Sequence, residues 1–330
     1  MTSIEWTDAT WNPVRGCGRV SRGCEHCYAE GVARRFAGAG QPYEGLVRLD
    51  REGKPKAQWN GTVRFVPEHL ADPMRWRKPR RVFVNSMSDL FHESLSFDQI
   101  AAVFGVMAAS PRHTFQVLTK RPERAREFFT WIASNDRCWR PDEVAQLAAR
   151  AHVGDVVLHP IKGTLREWPW PLPNVWLGVS VEDQATADER IPVLLTLPAA
   201  VRWVSYEPAL GPVDFSRVKV PDAPSPPFHA TALHAFRGFG ACLDWIVVGG
   251  ESGPGARPFD VAWARSTIEQ CRAAGVPVFV KQLGACPVRT FGSLDAPGIY
   301  APEHVRLRHH KGGDMSEWPE DLRVREFSRD

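Results

Sequence analysis

The chain has 330 residues, 43% of them hydrophobic, which is enough apolar material for one large core. Its formal net charge is only +3, so the overall charge does not by itself indicate a nucleic-acid partner. The sequence has no run of about 18 apolar residues, and its first residues lack a basic and then apolar signal region, so we expect a cytoplasmic protein with no membrane partner.

In chain order, short apolar segments of strand length alternate with segments of helical periodicity. The predicted strands lack strict alternation, which is typical of buried parallel strands; they span 81–85, 114–119, 175–181, 201–206, 245–249 and 276–281. Helices are predicted at 28–36, 97–109, 122–133, 183–197 and 261–274. Ser96 is a predicted N-cap of the second helix, and Gly275 follows the last helix as a C-cap would.

With one more strand near the N-terminus, this alternation predicts an α/β fold, a partial (β/α) barrel of the TIM type with parallel strands. An open doubly wound sheet is the structural alternative. Residues 1–283 are predicted to form the barrel, with an inserted helix and loop at 134–172. Residues 284–330 have few apolar runs and are predicted to form a C-terminal extension that packs on the barrel.

Three cysteines lie close together in the spacing C-x6-C-x2-C: Cys17, Cys24 and Cys27. Thiolate is the soft ligand for zinc and for iron–sulfur clusters. A structural zinc site has four ligands, and the fourth here would have to be His26 or a distant cysteine. We therefore favour an iron–sulfur cluster with one iron left open. A zinc site and three inert thiols are the alternatives.

Glycine directly precedes two of these cysteines, at Gly16 and Gly23. A glycine lets the backbone come close to a bulky group and point its N–H groups at sulfur. Both positions therefore support the prediction of a cluster in this window.

Polar residues and glycines lie at the carboxyl end of each predicted strand or directly after it. Because the carboxyl ends of parallel strands meet at one edge of a barrel, these residues predict one ring around one pocket. They are Asn85, Ser86, Ser88, Asp89, Thr119, Lys120, Arg121, Ser180, Glu182, Ser205, Tyr206, Glu207, Gly249, Gly250, Glu251, Ser252, Lys281 and Gln282.

The cysteine window resembles the cluster loop of radical S-adenosylmethionine (radical SAM) enzymes, with a longer first spacing than is commonest in that superfamily. The chain also resembles, over nearly its whole length, a family found in bacteriophages and prophages and described only as of unknown function. The segments that carry this second resemblance are 6–13, 83–91, 118–121, 178–182, 249–253 and 311–319.

The radical SAM resemblance implies a 4Fe–4S cluster on the three cysteines, with S-adenosylmethionine (SAM) at the open iron. It implies that one electron from a flavodoxin- or ferredoxin-like reductant cleaves SAM to a 5′-deoxyadenosyl radical, which abstracts a substrate hydrogen. The residues it implies for cofactor binding are Ser86, Ser88, Asp89, Ser180, Glu182, Glu207, Gly249, Gly250 and Glu251. Lys281 and Gln282 are implied to face the substrate as catalytic residues.

A basic segment with an interleaved aromatic residue spans 75–81, and further cations follow at Arg112, Lys120, Arg121, Arg124 and Arg126. Such a set can hold phosphates and stack bases, or it can be a solvated face before a buried strand. Together with the phage resemblance, it predicts a nucleic-acid base or nucleotide as substrate, in DNA modification or repair.

Two functions of other classes stay open. A zinc-stabilised nucleic-acid-binding protein without catalysis needs a fourth ligand and leaves the polar strand ends unexplained. A barrel hydrolase that uses Asp89, Glu182 and Glu207 would stay active after loss of Cys24, which the radical SAM interpretation forbids.

Overall fold

The computed structural model describes residues 4–134, 140–157, 168–220, 231–234, 241–290 and 302–328. Its strands are β1 (Ala9–Trp11), β2 (Val14–Arg15), β3 (Val47–Leu49), β4 (Pro55–Trp59), β5 (Arg64–Phe65), β6 (Arg81–Val84), β7 (Thr114–Thr119), β8 (Val175–Val181), β9 (Val201–Tyr206), β10 (Trp245–Gly249), β11 (Phe259–Asp260), β12 (Val278–Gln282), β13 (Pro287–Arg289) and β14 (Glu303–His304). Its helices are α1 (Tyr28–Arg35), α2 (Asp72–Arg75), α3 (Phe97–Ala108), α4 (Pro122–Ala133), α5 (Pro141–Val153), α6 (Gln184–Thr196) and α7 (Val261–Ala274).

The main sheet contains β1, β6, β7, β8, β9, β10 and β12, in that order. The pairs whose register is defined are parallel, as for Arg81 opposite Thr114 in β6 and β7. Each strand predicted from an apolar segment is present, and β8 is buried at every residue, as a continuous apolar run requires. These findings confirm an α/β fold with a parallel sheet. The radical SAM-type barrel stays a prediction.

The described residues group into two compact units. Unit 1 consists of Met1–Val20, Ala29–Val179 and Thr196–Val201, and unit 2 of Ser21–Tyr28, Ser180–Leu195 and Arg202–Asp330. The division into barrel, insertion and extension stays a prediction. Residues 135–139 and 158–167 of the predicted insertion, and 291–301, 329 and 330 of the predicted extension, lie outside the described residues.

The core of unit 1 is built around α3, which is buried over most of its length. Ser96 caps this helix in a capping box with Gln99, as its sequence position predicts. At Gly105, a Cβ atom would lie 2.2 Å from the carbonyl oxygen of Ala145, so the missing side chain allows α3 and α5 to pack closely. The rings of Phe104 and Phe128 extend this core to α4, with centroids 5.2 Å apart.

The core of unit 2 contains Trp203, Trp245 and Phe279, which project from β9, β10 and β12. The indole rings of Trp203 and Trp245 lie 5.4 Å apart. Beyond β12, Val280 N–H donates to the carbonyl of Val324 at 2.8 Å, so a late segment of the chain covers the backbone of this last strand of the sheet.

Gly275 ends α7 in the left-handed conformation, with a φ of 71°, as predicted. No helix among the described residues combines the length and the apolar composition needed to cross a membrane.

Candidate functional site

In unit 1, Asp89 is the centre of a hydrogen-bond network at the carboxyl ends of β6 and β7. Its Oδ1 accepts from Thr119 Oγ1 at 2.7 Å and from Phe91 N–H at 3.0 Å. Its Oδ2 accepts from Lys120 N–H at 3.0 Å and from Arg121 Nη1 at 3.2 Å. A carboxylate has about four acceptor sites, and these four bonds use them. Asp89 therefore fastens one strand end to the next, and its predicted contact with a cofactor stays a prediction.

Arg121 links this network to the first cysteine. Its guanidinium donates to Glu93 Oε2 at 2.8 Å, to Asp89 and, at 3.3 Å, to the carbonyl of Gly18, the residue after Cys17. Burial alone lowers the pKa of Arg121, but Asp89, Cys17 and Glu93 outweigh it and raise the pKa above its ordinary value. A fixed positive charge therefore lies beside Cys17, and such a charge favours the thiolate.

His92 lies in the same buried region. Burial, followed by the charge of Arg121, lowers the pKa of His92. Its Nδ1 accepts from Ser94 N–H at 3.2 Å, as an unprotonated ring nitrogen does. Both features favour the neutral form of His92.

The two predicted serines of this region hold the N-terminal segment in place. Ser86 Oγ donates to Asn12 Oδ1 at 3.2 Å, and Ser88 Oγ donates to the carbonyl of Val14 at 3.0 Å. These bonds position the chain that leads to Cys17. Their predicted contacts with a cofactor stay predictions.

Asn85 was not among the predicted cofactor-binding residues, although it follows β6 directly. It is 3% exposed, and neither its Oδ1 nor its Nδ2 has a hydrogen-bond partner among the described residues. Its φ is 60°, in the left-handed region that asparagine tolerates better than most residues. An unsatisfied buried amide and a strained backbone at a strand end are features of ligand-contacting residues.

The six-residue spacer of the cysteine window is anchored within unit 1 by Arg19. Its guanidinium forms a two-point ion pair with Glu30 of α1, at 2.9 Å for Nε and 2.5 Å for Nη2. Glu30 is buried and also accepts from the backbone N–H of Trp59 at 3.0 Å. The long spacing between Cys17 and Cys24 therefore contains a residue, Arg19, that attaches this part of the chain to α1.

In unit 2, Glu182 supports the segment Ser21–Tyr28, which carries Cys24 and Cys27. Glu182 directly follows β8 and is 1% exposed. It accepts from Ser21 Oγ at 2.9 Å and forms a buried ion pair with Arg190 of α6, at 3.1 Å. The segment is thus tied to a strand end through a carboxylate whose charge is compensated.

Gly23 is the point of closest approach between this segment and Glu182. A Cβ atom at residue 23 would lie 2.4 Å from Oε1 and 2.6 Å from Cγ of Glu182. The absent side chain therefore makes room for a protein carboxylate. This role differs from the prediction that Gly23 leaves space for a cluster.

A second carboxylate of unit 2, Glu251, holds the other end of the segment. It lies two residues after β10, and its Oε2 is 3.0 Å from Nδ1 of His26. Arg257 donates to both Glu251 oxygens, at 3.1 and 2.7 Å, and also to the carbonyl of Arg22 and to Glu25 Oε2, each at 2.9 Å. Burial opposes ionisation, but the hydrogen bonds from Arg257 and His26 lower the pKa of Glu251 below its ordinary value.

The predicted residues near β9 and β12 form an ion pair. Lys281 Nζ lies 3.1 Å from Glu207 Oε1, and both side chains are partly accessible. Ser205 Oγ donates to Glu207 Oε2 at 3.3 Å, and Ser180 Oγ donates to the Glu207 carbonyl at 3.2 Å. At Gly249 a Cβ atom would lie 2.7 Å from Glu207 Oε1.

Gln282 and Gly250, by contrast, make contacts within the protein itself. Gln282 is buried, and its Nε2 donates to the Gly250 carbonyl at 2.9 Å. A Cβ atom at residue 250 would lie 2.6 Å from the carbonyl oxygen of Leu283. Their predicted contacts with substrate and cofactor stay predictions.

The thiols of Cys17, Cys24 and Cys27 are half-buried, and no disulfide involves them. Cys17 belongs to unit 1, and Cys24 and Cys27 belong to unit 2. In the described part of the chain, no three His, Cys, Asp or Glu side chains are arranged as a group that could hold a metal ion. The donor set suits an iron–sulfur cluster by its chemistry, and the cluster itself stays a prediction.

A family model described as "Protein of unknown function (DUF5131)" matches residues 1–316. The chain belongs to this DUF5131 family. No curated protein and no solved structure matches the chain. In this DUF5131 protein, the matched residues include the cysteine window and the carboxylates that support it in each unit.

Proposed function

We propose that this chain is a radical SAM-type enzyme whose cluster ligands are Cys17, Cys24 and Cys27, on a partial barrel of that superfamily. One observation carries the proposal. In unit 1 the chain around Cys17, and in unit 2 the segment with Cys24 and Cys27, are fastened by polar side chains to the carboxyl ends of parallel strands. In parallel α/β barrels, active sites form at those ends.

Cys17, Cys24 and Cys27 would hold a 4Fe–4S cluster, which would supply radical hydrogen-abstraction chemistry with SAM as the cosubstrate. The chain's own residues hold the ligands and set the local charge. In unit 1, Arg121 keeps a positive charge next to Cys17. In unit 2, Glu182 and Glu251 fix the two ends of the segment that presents Cys24 and Cys27.

Polar recognition in this proposal falls to accessible or unsatisfied groups at the strand ends. The ion pair of Glu207 and Lys281 offers a carboxylate and an ammonium group at the ends of β9 and β12. The amide of Asn85 offers a donor and an acceptor that no described residue uses. By resemblance, the substrate we propose is a nucleic-acid base or nucleotide, and the electron donor a flavodoxin- or ferredoxin-like protein.

The hydrolase alternative is less compatible with the positions of its carboxylates. Asp89 has its acceptor sites occupied by protein donors, and Glu182 is buried in an ion pair with Arg190. A general acid or base has to reach its substrate directly or through one water molecule. Of the three carboxylates in that alternative, Glu207 has the most accessible side chain.

The test is anaerobic purification with iron and sulfide reconstitution, followed by iron and sulfide analysis, a visible spectrum, and an assay for 5′-deoxyadenosine with SAM and dithionite. Cys24→Ala is the test variant, and Cys242→Ala is the matched control, since Cys242 is also half-buried but lies outside the window. We expect wild type and Cys242→Ala to be brown and to cleave SAM, and Cys24→Ala to lose both properties.

A colourless protein that holds one zinc ion per chain would overturn the proposal and support the zinc-stabilised alternative. A brown protein that leaves SAM intact would retain the cluster but refute the reaction. If Cys24→Ala kept the full iron and sulfide content, the assignment of the ligands would be wrong.

A further inference from the structure

A group of cations lies in unit 1, where the chain leads into two neighbouring strands. Arg75 is the last residue of α2, Arg77, Lys78 and Arg80 lie between α2 and β6, and Arg112 lies just before β7. We call these five residues the basic surface. Four of them are exposed and Arg80 is half-buried. The surface is a feature of the folded chain, because residues far apart in sequence form it.

Backbone and ring contacts hold the two loops together. Thr114 N–H donates to the carbonyl of Arg80 at 3.0 Å, and the rings of Trp76 and His113 lie 5.7 Å apart, edge to face. His113 Nε2 lies 3.0 Å from the Pro73 carbonyl. The cations therefore project from a fixed support, which lowers the entropic cost of binding a ligand.

Arg80 is itself held in position, because its guanidinium lies over the Trp76 ring, 5.1 Å from the centroid. His113 contacts the same indole ring, and its surroundings favour the neutral imidazole. The pKa of His113 is lowered by burial and, to a smaller extent, by the charges of Arg112 and Arg80. Its hydrogen bond to the Pro73 carbonyl opposes this shift but does not cancel it. The charge of this surface thus comes from arginine and lysine alone.

Few carboxylates compensate these cations. Asp72 lies 3.4 Å from Arg75 and also pairs with His69. Asp8 pairs with Arg81, which begins β6. Within the described ranges, no carboxylate lies within ion-pair distance of the remaining four: Arg77, Lys78, Arg80 and Arg112. The net charge of the whole chain is +3, so four uncompensated cations in one place are a strong local excess.

The other cations of the basic sequence pattern behave differently. Three of them are paired with carboxylates: Arg121 with Asp89 and Glu93, Arg124 with Glu127, and Arg126 with Glu123. The structure therefore separates the cations that stabilise the fold from those that remain available to a partner.

We propose that the basic surface binds the phosphate backbone of nucleic acid. Four of its five cations are arginines, whose planar guanidinium groups match phosphate oxygens in pairs. The exposed large hydrophobic residues of the described chain are Val20, Tyr28, Phe36 and Leu49, and none belongs to this surface, which argues against a membrane as the partner. Contacts with phosphates alone do not distinguish one nucleotide sequence from another, so we expect this binding to be independent of sequence.

The location separates this surface from the candidate site of unit 1. The basic surface precedes β6 and β7, whereas Asp89 and Arg121 follow them. A strand of four residues such as β6 spans about 13 Å. The surface is therefore an anchoring site for a long polyanion, and its test is independent of the radical SAM proposal.

The experiment is a fluorescence anisotropy titration of the full chain against a short labelled duplex DNA of arbitrary sequence, repeated over a series of salt concentrations. The test variant is the triple substitution Arg77→Gln, Lys78→Gln and Arg112→Gln, which leaves the stacked Arg80 in place. The matched control is Arg48→Gln, Arg51→Gln and Lys56→Gln. These three residues are exposed on the β3–β4 hairpin, where Asp50 and Glu52 mix the signs of charge, and the control removes the same net charge.

We expect wild type to show a slope of log K against log salt of about −3.6, for roughly four phosphate contacts. The test variant should reduce that slope to about −1, and the control should leave it near the wild-type value. Both variants should melt at the wild-type temperature, because none of the substituted residues takes part in an ion pair among the described residues.

Equal losses in the two variants would show a general effect of charge and would overturn the proposal. So would the absence of duplex binding at low salt, or binding to phosphatidylserine vesicles in place of nucleic acid.

Discussion

Replacing Gly23 with alanine tests whether Glu182 supports the cysteine segment. The new Cβ atom would lie 2.4 Å from Oε1 of Glu182, about 1 Å closer than an ordinary contact. One of the two groups must therefore move. Gly31→Ala in α1 is the matched control, because no atom lies within 4 Å of its new Cβ.

The structure indicates which group moves. Moving Glu182 would break its buried ion pair with Arg190, which costs about 3–5 kcal/mol. Lifting the segment Ser21–Tyr28 instead loses the bond from Ser21 to a charged acceptor, about 1.5–3 kcal/mol, and relieves most of the overlap. We therefore expect the segment to lift, at a cost of about 2–3 kcal/mol.

Urea unfolding gives the total cost, and hydrogen exchange of the peptide that covers 21–28 reports where the change occurs. Gly23→Ala should lose stability and exchange faster in this peptide. Gly31→Ala should be neutral or gain up to about 1 kcal/mol, because alanine favours a helix over glycine. If Gly23→Ala unfolded at the wild-type urea concentration with unchanged exchange, Glu182 would not support the segment.

Three further predictions follow from buried groups. Arg190→Met should lower the free energy of unfolding in urea by about 3–5 kcal/mol, because the buried carboxylate of Glu182 loses its ion pair with Arg190. Adding Glu182→Gln should recover part of this loss, and a cost under about 1 kcal/mol for Arg190→Met would contradict the prediction. Asn85→Gly should raise the melting temperature, because it relieves a strained φ and removes an unsatisfied amide. Together these gains are about 2 kcal/mol before the entropic cost of glycine, and a melting temperature below that of wild type in calorimetry would mean that the amide is satisfied. Burial raises the pKa of the Cys271 thiol to about 12, so iodoacetamide at pH 8 should label the half-buried Cys242 much faster than Cys271 in the folded protein. Equal labelling of the two cysteines in urea is the control, and equal rates without urea would contradict the prediction.

The main sheet and its helices could be predicted from the sequence because each buried strand is a continuous apolar run. The bounds of β7, β8, β9 and β10 agree with the prediction at both ends, and β12 begins two residues later than predicted. The small strands β2–β5, β11, β13 and β14 were not predicted, since segments of two to five residues carry no clear period.

The candidate site was predictable in residue type but less so in role. Polar residues do follow the strands, yet their partners are set by tertiary structure. Glu251 is joined by Arg257, and Asp89 by Arg121, 32 residues later in the chain. No spacing rule in the sequence indicates such pairs. The left-handed conformation of Asn85 is equally invisible, because asparagine adopts it only where the surrounding fold requires it.

The attachments of the segment Ser21–Tyr28 also constrain the order of folding. Ser21 bonds to a residue 161 positions later, and His26 to one 225 positions later. Contacts of such long sequence separation pay a large loop-closure entropy and form late. The two cysteines of this segment therefore reach their final setting only after β8 and β10 have been synthesised and built into the sheet. Under the proposed function, loading of the cluster would follow folding of the sheet.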